Sequence, residues 1–186
     1  PHVPMFFMGE EYAASTPFLY FCDFGPELAQ AVSKGRLEEF GKFAAFASEE
    51  ARARIPDPTA ESTFMASRLR WDERDCGVHR SWLEQVRELL AVRRQWLMPC
   101  LSGQQQGGTS ACDGETLQVR WPLGTVAEGG PHRVLHLLAH FGPDRQDTVA
   151  TPPGRVIHSA GAESVGSGLR LARGAVHSTL EGADDA

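Results

Sequence analysis

The sequence predicts an α/β part followed by an all-β part, and three observations carry that division. A strand-length apolar run over residues 3–8 stops at Gly9 and opens onto Glu10 and Glu11. Within residues 79–95, Trp82, Leu83, Val86, Leu89 and Leu90 form the apolar stripe of an amphipathic helix. Beyond residue 110, short β-prone runs separated by Gly, Pro and Asp replace the helical rhythm.

The first run reads as a strand of a (β/α) barrel, whose C-terminal rim presents polar groups after each strand. Gly25 and Pro26 open a helix: proline suits its first position, and Glu27 suits the positive end of its dipole. It runs to about Phe46, with Leu28, Val32, Phe40, Phe43 and Phe46 as apolar positions and Gly35 and Gly41 as interruptions. Ile55-Pro56-Asp57-Pro58 is a rigid connector, because each proline biases its predecessor away from the helical region. In the helix over 79–95, Arg80, Glu84, Arg87, Glu88, Arg93 and Arg94 stay largely off the apolar stripe, and Pro99 follows its end. Residues 102–110 are polar and glycine-rich, which places a domain boundary there and separates 1–102 from 111–186. Strands are expected over 116–121, 133–141, 155–159 and 175–180, with a further one over 169–172; together they predict an antiparallel β-sandwich.

Composition narrows the partners. A net charge of −6, with basic residues scattered along helices, disfavours nucleic acid. Hydrophobic residues make up 41% of the chain, enough for an ordinary core, yet no stretch approaches the roughly 20 apolar residues that span a bilayer. No membrane partner is expected, and residues 1–8 lack the basic start and the length of a signal peptide. Cys22, Cys76, Cys100 and Cys112 are widely spaced with no Cys-x-x-Cys pair, so a zinc ribbon is excluded and reduced thiols in a cytoplasm are the simplest reading.

Several blocks carry a family resemblance. Residues 3–12 and Thr16-Pro17-Phe18-Leu19-Tyr20-Phe21-Cys22-Asp23 come first, then Gly25-Pro26-Glu27-Leu28 and Lys34-Gly35-Arg36-Leu37-Glu38-Glu39-Phe40. Ile55-Pro56-Asp57-Pro58 and Thr63-Phe64 with Ser67-Arg68-Leu69-Arg70-Trp71 follow in order. These resemble successive blocks of the malto-oligosyltrehalose trehalohydrolases of the α-amylase superfamily, which commonly show Ser-Lys-Leu-Asp-Trp at the last of them. Gly154-Arg155-Val156-Ile157 is similar to a C-terminal strand of these enzymes.

The resemblance implies the last β/α unit of a (β/α)8 TIM barrel with extra helices, its eighth strand at residues 3–8, followed by a C-terminal β-sandwich. It implies a glycoside hydrolase acting on a malto-oligosaccharide-type substrate, cutting the α-1,4 bond beside a terminal trehalose unit, with no cofactor. The superfamily's aspartate nucleophile, glutamate acid/base and third aspartate lie near the ends of its fourth, fifth and seventh strands. Those segments are absent here; the third aspartate normally follows a histidine, and this chain has no His-Asp pair. The chain, which starts at Pro1, is therefore expected to be a C-terminal portion, inactive alone and partnered by the N-terminal remainder of the barrel. Alternatives are a glycogen branching transferase, whose corresponding loop should lack the Thr-Pro-Phe and Lys-Gly-Arg blocks, and a noncatalytic carbohydrate-binding protein.

Glu10, Glu11, Tyr12 and Asp23 are the candidate substrate-binding residues. Carboxylates accept hydrogen bonds from sugar hydroxyls. On a strand end the two glutamates point to opposite sides, so one faces the pocket and the other braces a loop; pairing of both with rim arginines is the competing reading. Adjacent acids cannot supply the two carboxyl groups, about 5–5.5 Å apart across the scissile bond, that a retaining mechanism needs, so no catalytic residue is assigned. Phe18, Tyr20, Phe21 and Phe24 could stack a sugar ring, although aromatic rings more often serve packing. His132, His136 and His140 imitate a metal face, but on a strand they share one side with Val134 and Leu138 and no third-ligand chemistry completes a site, so no metal is assigned. Ala162-Glu163-Ser164-Val165-Gly166 lacks the first glycine and the strand-to-helix setting of a nucleophile elbow, and Gly166 and Gly168 open no dinucleotide fingerprint.

Overall fold

A computed structural model describes residues 2–46, 48–101, 107–126 and 130–183. It contains two compact units, Pro4–Val86 and Arg87–Ala186 with Pro1–Val3, which divide inside a helix.

In the first unit, residues 3–8 form no strand, contrary to the expectation over that run. A strand exists only through a ladder with a neighbour, and none of the described strands pairs with this segment. Helix α1 (Pro26–Phe40) begins at the expected Pro26, and Gly41 ends it. A short 3₁₀ turn at Ala44–Phe46 follows, and Phe40 packs edge-on against Phe46. Ser48 caps α2 (Glu49–Arg52) by accepting the Ala51 N–H at 3.1 Å. Next come α3 (Glu61–Ala66), a 3₁₀ turn at Trp71–Asp75 and α4 (Gly77–Val92), which passes into a π-helical turn at Arg93–Leu97. The amphipathic helix predicted from 79 is thus present, yet Trp82 and Leu89 of its stripe remain 46% and 41% exposed.

Polar bonds hold the interior of this unit. Among the described residues between 4 and 86 the buried positions are Gly9, Tyr12, Pro58, Thr63, Ser67 and Glu73. Thr63 Oγ1 donates to the Asp57 carbonyl (2.6 Å), Ser67 Oγ accepts the Leu19 N–H (3.0 Å), and the Cys22 N–H donates to the Pro58 carbonyl (2.8 Å). These bonds fasten the aromatic loop at 17–24 to the connector and to α3.

The second unit is one antiparallel sheet of six strands: β1 (Thr109–Asp113), β2 (Thr116–Pro122), β3 (Val134–His140), β4 (Val149–Ala150), β5 (Arg155–Val165) and β6 (Gly168–Glu181). It replaces the expected two-sheet sandwich. Long β6 pairs with β5 along one edge, and with β4 and then β3 along the other, so hydrogen bonding runs through without a break between sheets. The sheet curls to cover itself. Leu138 of β3 pairs with His177, eight residues along β6 from Leu169, a span of about 26 Å for a straight strand. Yet Leu138, Leu169, Leu171 and Ala175 belong to one buried cluster. Gly161 sits at a β5 bulge where the curl is tight: its φ is +66°, and a Cβ there would lie 3.1 Å from the Ala175 Cα.

The opposite face of β3 carries Leu135, which packs with Leu123, Leu180, Ala183 and Cys100, with Trp96 and Leu97 alongside. Residues 96–101 therefore belong with the sheet, although the domain boundary read from sequence lies after them. Of the boundary segment 102–110, residues 102–106 lie outside the described residues, and Thr109 and Ser110 begin β1.

Candidate functional site

The acidic pair sits on a turn that glycine makes geometrically accessible. Gly9 has φ +84°, and a Cβ there would come within 2.7 Å of both Ala14 Cβ and Leu69 Cδ2. The chain then forms a 3₁₀ turn at Glu10–Tyr12 instead of a strand end, so successive side chains diverge by about 120° and the strict opposition expected of Glu10 and Glu11 does not hold. Glu10 Oε2 accepts the Phe7 N–H at 2.8 Å and so braces its own turn. Glu11 is half-buried beside it.

Tyr12 is 1% exposed, with its ring 5.9 Å from that of Trp71. Its buried hydroxyl has no hydrogen-bond partner among the described residues. Burial raises the phenol pKa, and the nearby Glu11 and Glu73 carboxylates push it further the same way. The structure therefore brings Glu10, Glu11 and Tyr12 together. Asp23 stands apart: it is exposed and makes no hydrogen bond to this turn.

Three residues that the sequence reading did not place at the site, Trp82 being read only as part of an apolar helix stripe, hold the turn in place. His79 Nδ1 donates to the carbonyls of Tyr12 (3.1 Å) and Ala13 (3.0 Å), and Trp82 Nε1 donates to the carbonyl of Glu10 (3.1 Å). Glu73 accepts from Ser15 Oγ (2.5 Å) and Ser15 N (3.1 Å) and pairs with Arg70 at 3.2 Å. Those bonds, the Ser15 hydroxyl foremost, hold the Glu73 carboxyl below the usual range. A sequence signal existed for two of them. His79 and Trp82 are three residues apart on α4, so two ring N–H donors share one helix face.

The aromatic loop is built for packing. Phe7, Phe18, Phe21 and Phe64 form a chain of edge-on contacts with centroids 4.8, 5.8 and 5.2 Å apart. The Arg36 guanidinium lies 4.9 Å from the Tyr20 ring and 4.8 Å from the Phe40 ring. Two of the three histidines named from sequence are likewise engaged: His136 Nε2 meets Glu181 at 3.0 Å, and His140 lies between Thr116 Oγ1 and the Pro143 carbonyl, whereas His132 is exposed and precedes β3. Ser164 lies within β5, and Val165 pairs with Gly168, so a tight hairpin occupies the position where a nucleophile elbow would need a helix.

Chemically, the turn offers carboxylates and a phenol as hydrogen-bonding groups on a braced backbone. It holds no nucleophile paired with a general acid across a bond. Its chemistry is that of binding and positioning.

Relatives give this arrangement a context. The chain is 40% identical over 172 residues to malto-oligosyltrehalose trehalohydrolase of Deinococcus radiodurans, a match covering 89% of this chain and 26% of that protein. The chain is homologous to part of malto-oligosyltrehalose trehalohydrolase. The trehalohydrolase of Brevibacterium helvolum is 42% identical over 96 residues, 51% of this chain and 15% of that protein. Residues 105–177 match a family described as a domain of unknown function, DUF3459. Among solved structures, a Salmonella typhimurium protein described as a candidate alpha amylase superposes with a TM-score of 0.71 at 31% identity, covering 93% of this chain and 27% of that one. The chain thus spans about a quarter of the length of the Deinococcus trehalohydrolase and of the Salmonella protein.

Proposed function

We propose that this chain is the C-terminal portion of a malto-oligosyltrehalose trehalohydrolase. The 40% identity over 89% of the chain carries the reading. In the complete enzyme, residues 3–8 pair as the eighth strand of a (β/α)8 barrel and the Glu10–Tyr12 turn lies at the rim beside the substrate. The enzyme hydrolyses the α-1,4-glucosidic bond next to the terminal trehalose unit of maltooligosyl-trehalose and releases trehalose. The nucleophile and the general acid come from the remainder of the barrel, so the chain alone is inactive. Glu10, Glu11, Tyr12 and Asp23 contribute sugar contacts, and Glu73, His79 and Trp82 fix the turn that bears the first three.

Two features support the reading. Met5, Phe7, Phe18, Leu28 and Trp71 are at least two-fifths exposed in a unit with almost no apolar interior, as expected of a barrel segment awaiting its neighbours. Cys22, Cys76, Cys100 and Cys112 are all free thiols, in keeping with a reducing cytoplasm.

A segment exchange tests the proposal. Residues 1–186 replace the matching part of the Deinococcus trehalohydrolase, and trehalose release from maltotriosyl-trehalose is measured. The chimera should release trehalose and the isolated chain should not. A folded, inactive chimera, or release by the chain alone, contradicts the reading.

A further inference from the structure

In the second unit, β1, β2, β3 and the chain from Ala150 to Pro153 line a cleft of about 510 Å³ that the trehalohydrolase reading does not use. Cross-strand register arranges its floor. Thr109, Arg120 and His136 stand side by side in one row, and Gln118 lies beside Leu138 in the next. Thr179 extends the first row and donates Oγ1 to the Pro153 carbonyl at 2.6 Å, which ties the Pro152–Pro153 wall to the sheet. His136 Nε2 is oriented by Glu181 at 3.0 Å. Arg120 takes part in none of the ion pairs among the described residues.

We propose that this cleft binds the oxyanion group of a small organic molecule, a phosphate or a carboxylate, with the Arg120 guanidinium as its charged anchor and His136 beside it. A guanidinium presents its N–H groups as a fork that matches either oxyanion in a bidentate manner. Directly opposed cross-strand side chains have Cβ atoms about 4.5–5.5 Å apart, so one such group can meet both residues. Gln118 and Thr109 add neutral partners, and the volume falls within the roughly 300–1,000 Å³ of small-molecule sites. The chemistry differs from that of a typical glycan site: among the described residues lining the cleft there is no Phe, Tyr or Trp on which a pyranose face could stack, and the one aromatic ring, the His136 imidazole, is engaged by Glu181.

The test uses the whole 186-residue chain at low ionic strength, titrated with inorganic phosphate, with acetate and with maltotriose, and followed by amide chemical shifts and calorimetry. Phosphate or acetate should shift amides around Thr109, Gln118, Arg120 and His136; which of the two binds more tightly distinguishes the sources. Arg120→Gln should weaken that binding about tenfold or more, as expected for loss of charged hydrogen bonds, and Arg120→Lys less, because it keeps the charge without the fork. Arg120 is exposed, so both variants should fold, and the shift map of the unaltered chain needs no variant. Absence of shifts at these residues with both anions, equal affinity in Arg120→Gln, or maltotriose binding here in place of either anion overturns the proposal.

Discussion

His79 and Trp82 act on the acidic turn through backbone carbonyls, so each holds Glu10, Glu11 and Tyr12 as a group. Trp82→Phe removes one N–H donor while keeping an aromatic ring, and should cost about 1 kcal/mol in urea unfolding. Tyr12→Phe tests the buried hydroxyl differently. With no partner to lose, it should leave stability unchanged or raised by about 1 kcal/mol; in the active chimera, a raised KM with kcat preserved would mark the hydroxyl as a sugar contact. Glu73 sets an acid limit. Its folded pKa lies below its ordinary 4.5, so its contribution is complete above that value and is lost as pH falls through the folded pKa; Glu73→Gln should flatten the stability–pH curve below about pH 4.5. The acids themselves were legible in the sequence, because a glycine followed by charged residues marks the end of a run. Their clamp was not, because it joins positions more than sixty residues apart in the chain.

At the scale of elements, period-two alternation placed β2 and β3 within a residue of their observed ends. It split β6 at Gly174, whose φ of +75° bends a strand that continues through it. The two-residue β4 escaped because it is too short to show a period. Two measurements address the curl. Leu171 is fully buried where β6 folds over, and Leu171→Ala should cost about 2–5 kcal/mol by urea unfolding. His177 lies on the same face of β6, and burial, with His158 nearby, lowers its pKa below the ordinary 6.5. The unfolded chain then binds the proton first, so this contribution is complete above about pH 6.5 and declines as pH falls toward the folded value. Unfolding midpoints followed from pH 7.5 to 5 should fall, and His177→Gln should reduce that fall.

The two units differ in how they are covered. The second unit buries two apolar clusters of its own, whereas Pro4–Val86 leaves most of its large apolar side chains in water. The isolated chain should therefore bind an apolar dye such as ANS, and dye binding should fall in the segment-exchange chimera, where barrel neighbours are present. Equal dye binding by the two would argue that these side chains meet no partner.

The sequence by itself determined the start of α1 and, within two residues, that of α4, the change from a helical to a two-residue rhythm, and the acidic pair after Gly9, since each depends on neighbours within a few positions. Its blocks also sufficed to suggest the trehalohydrolase kinship. Only the tertiary structure decided that the β half is one curled sheet, that residues 96–101 pack with it, and that α4 grips the acidic turn. Each of these rests on contacts between distant segments: strand register chooses the sheet's partners, and the direction of a ring N–H or a carboxylate is fixed by packing that no local pattern records.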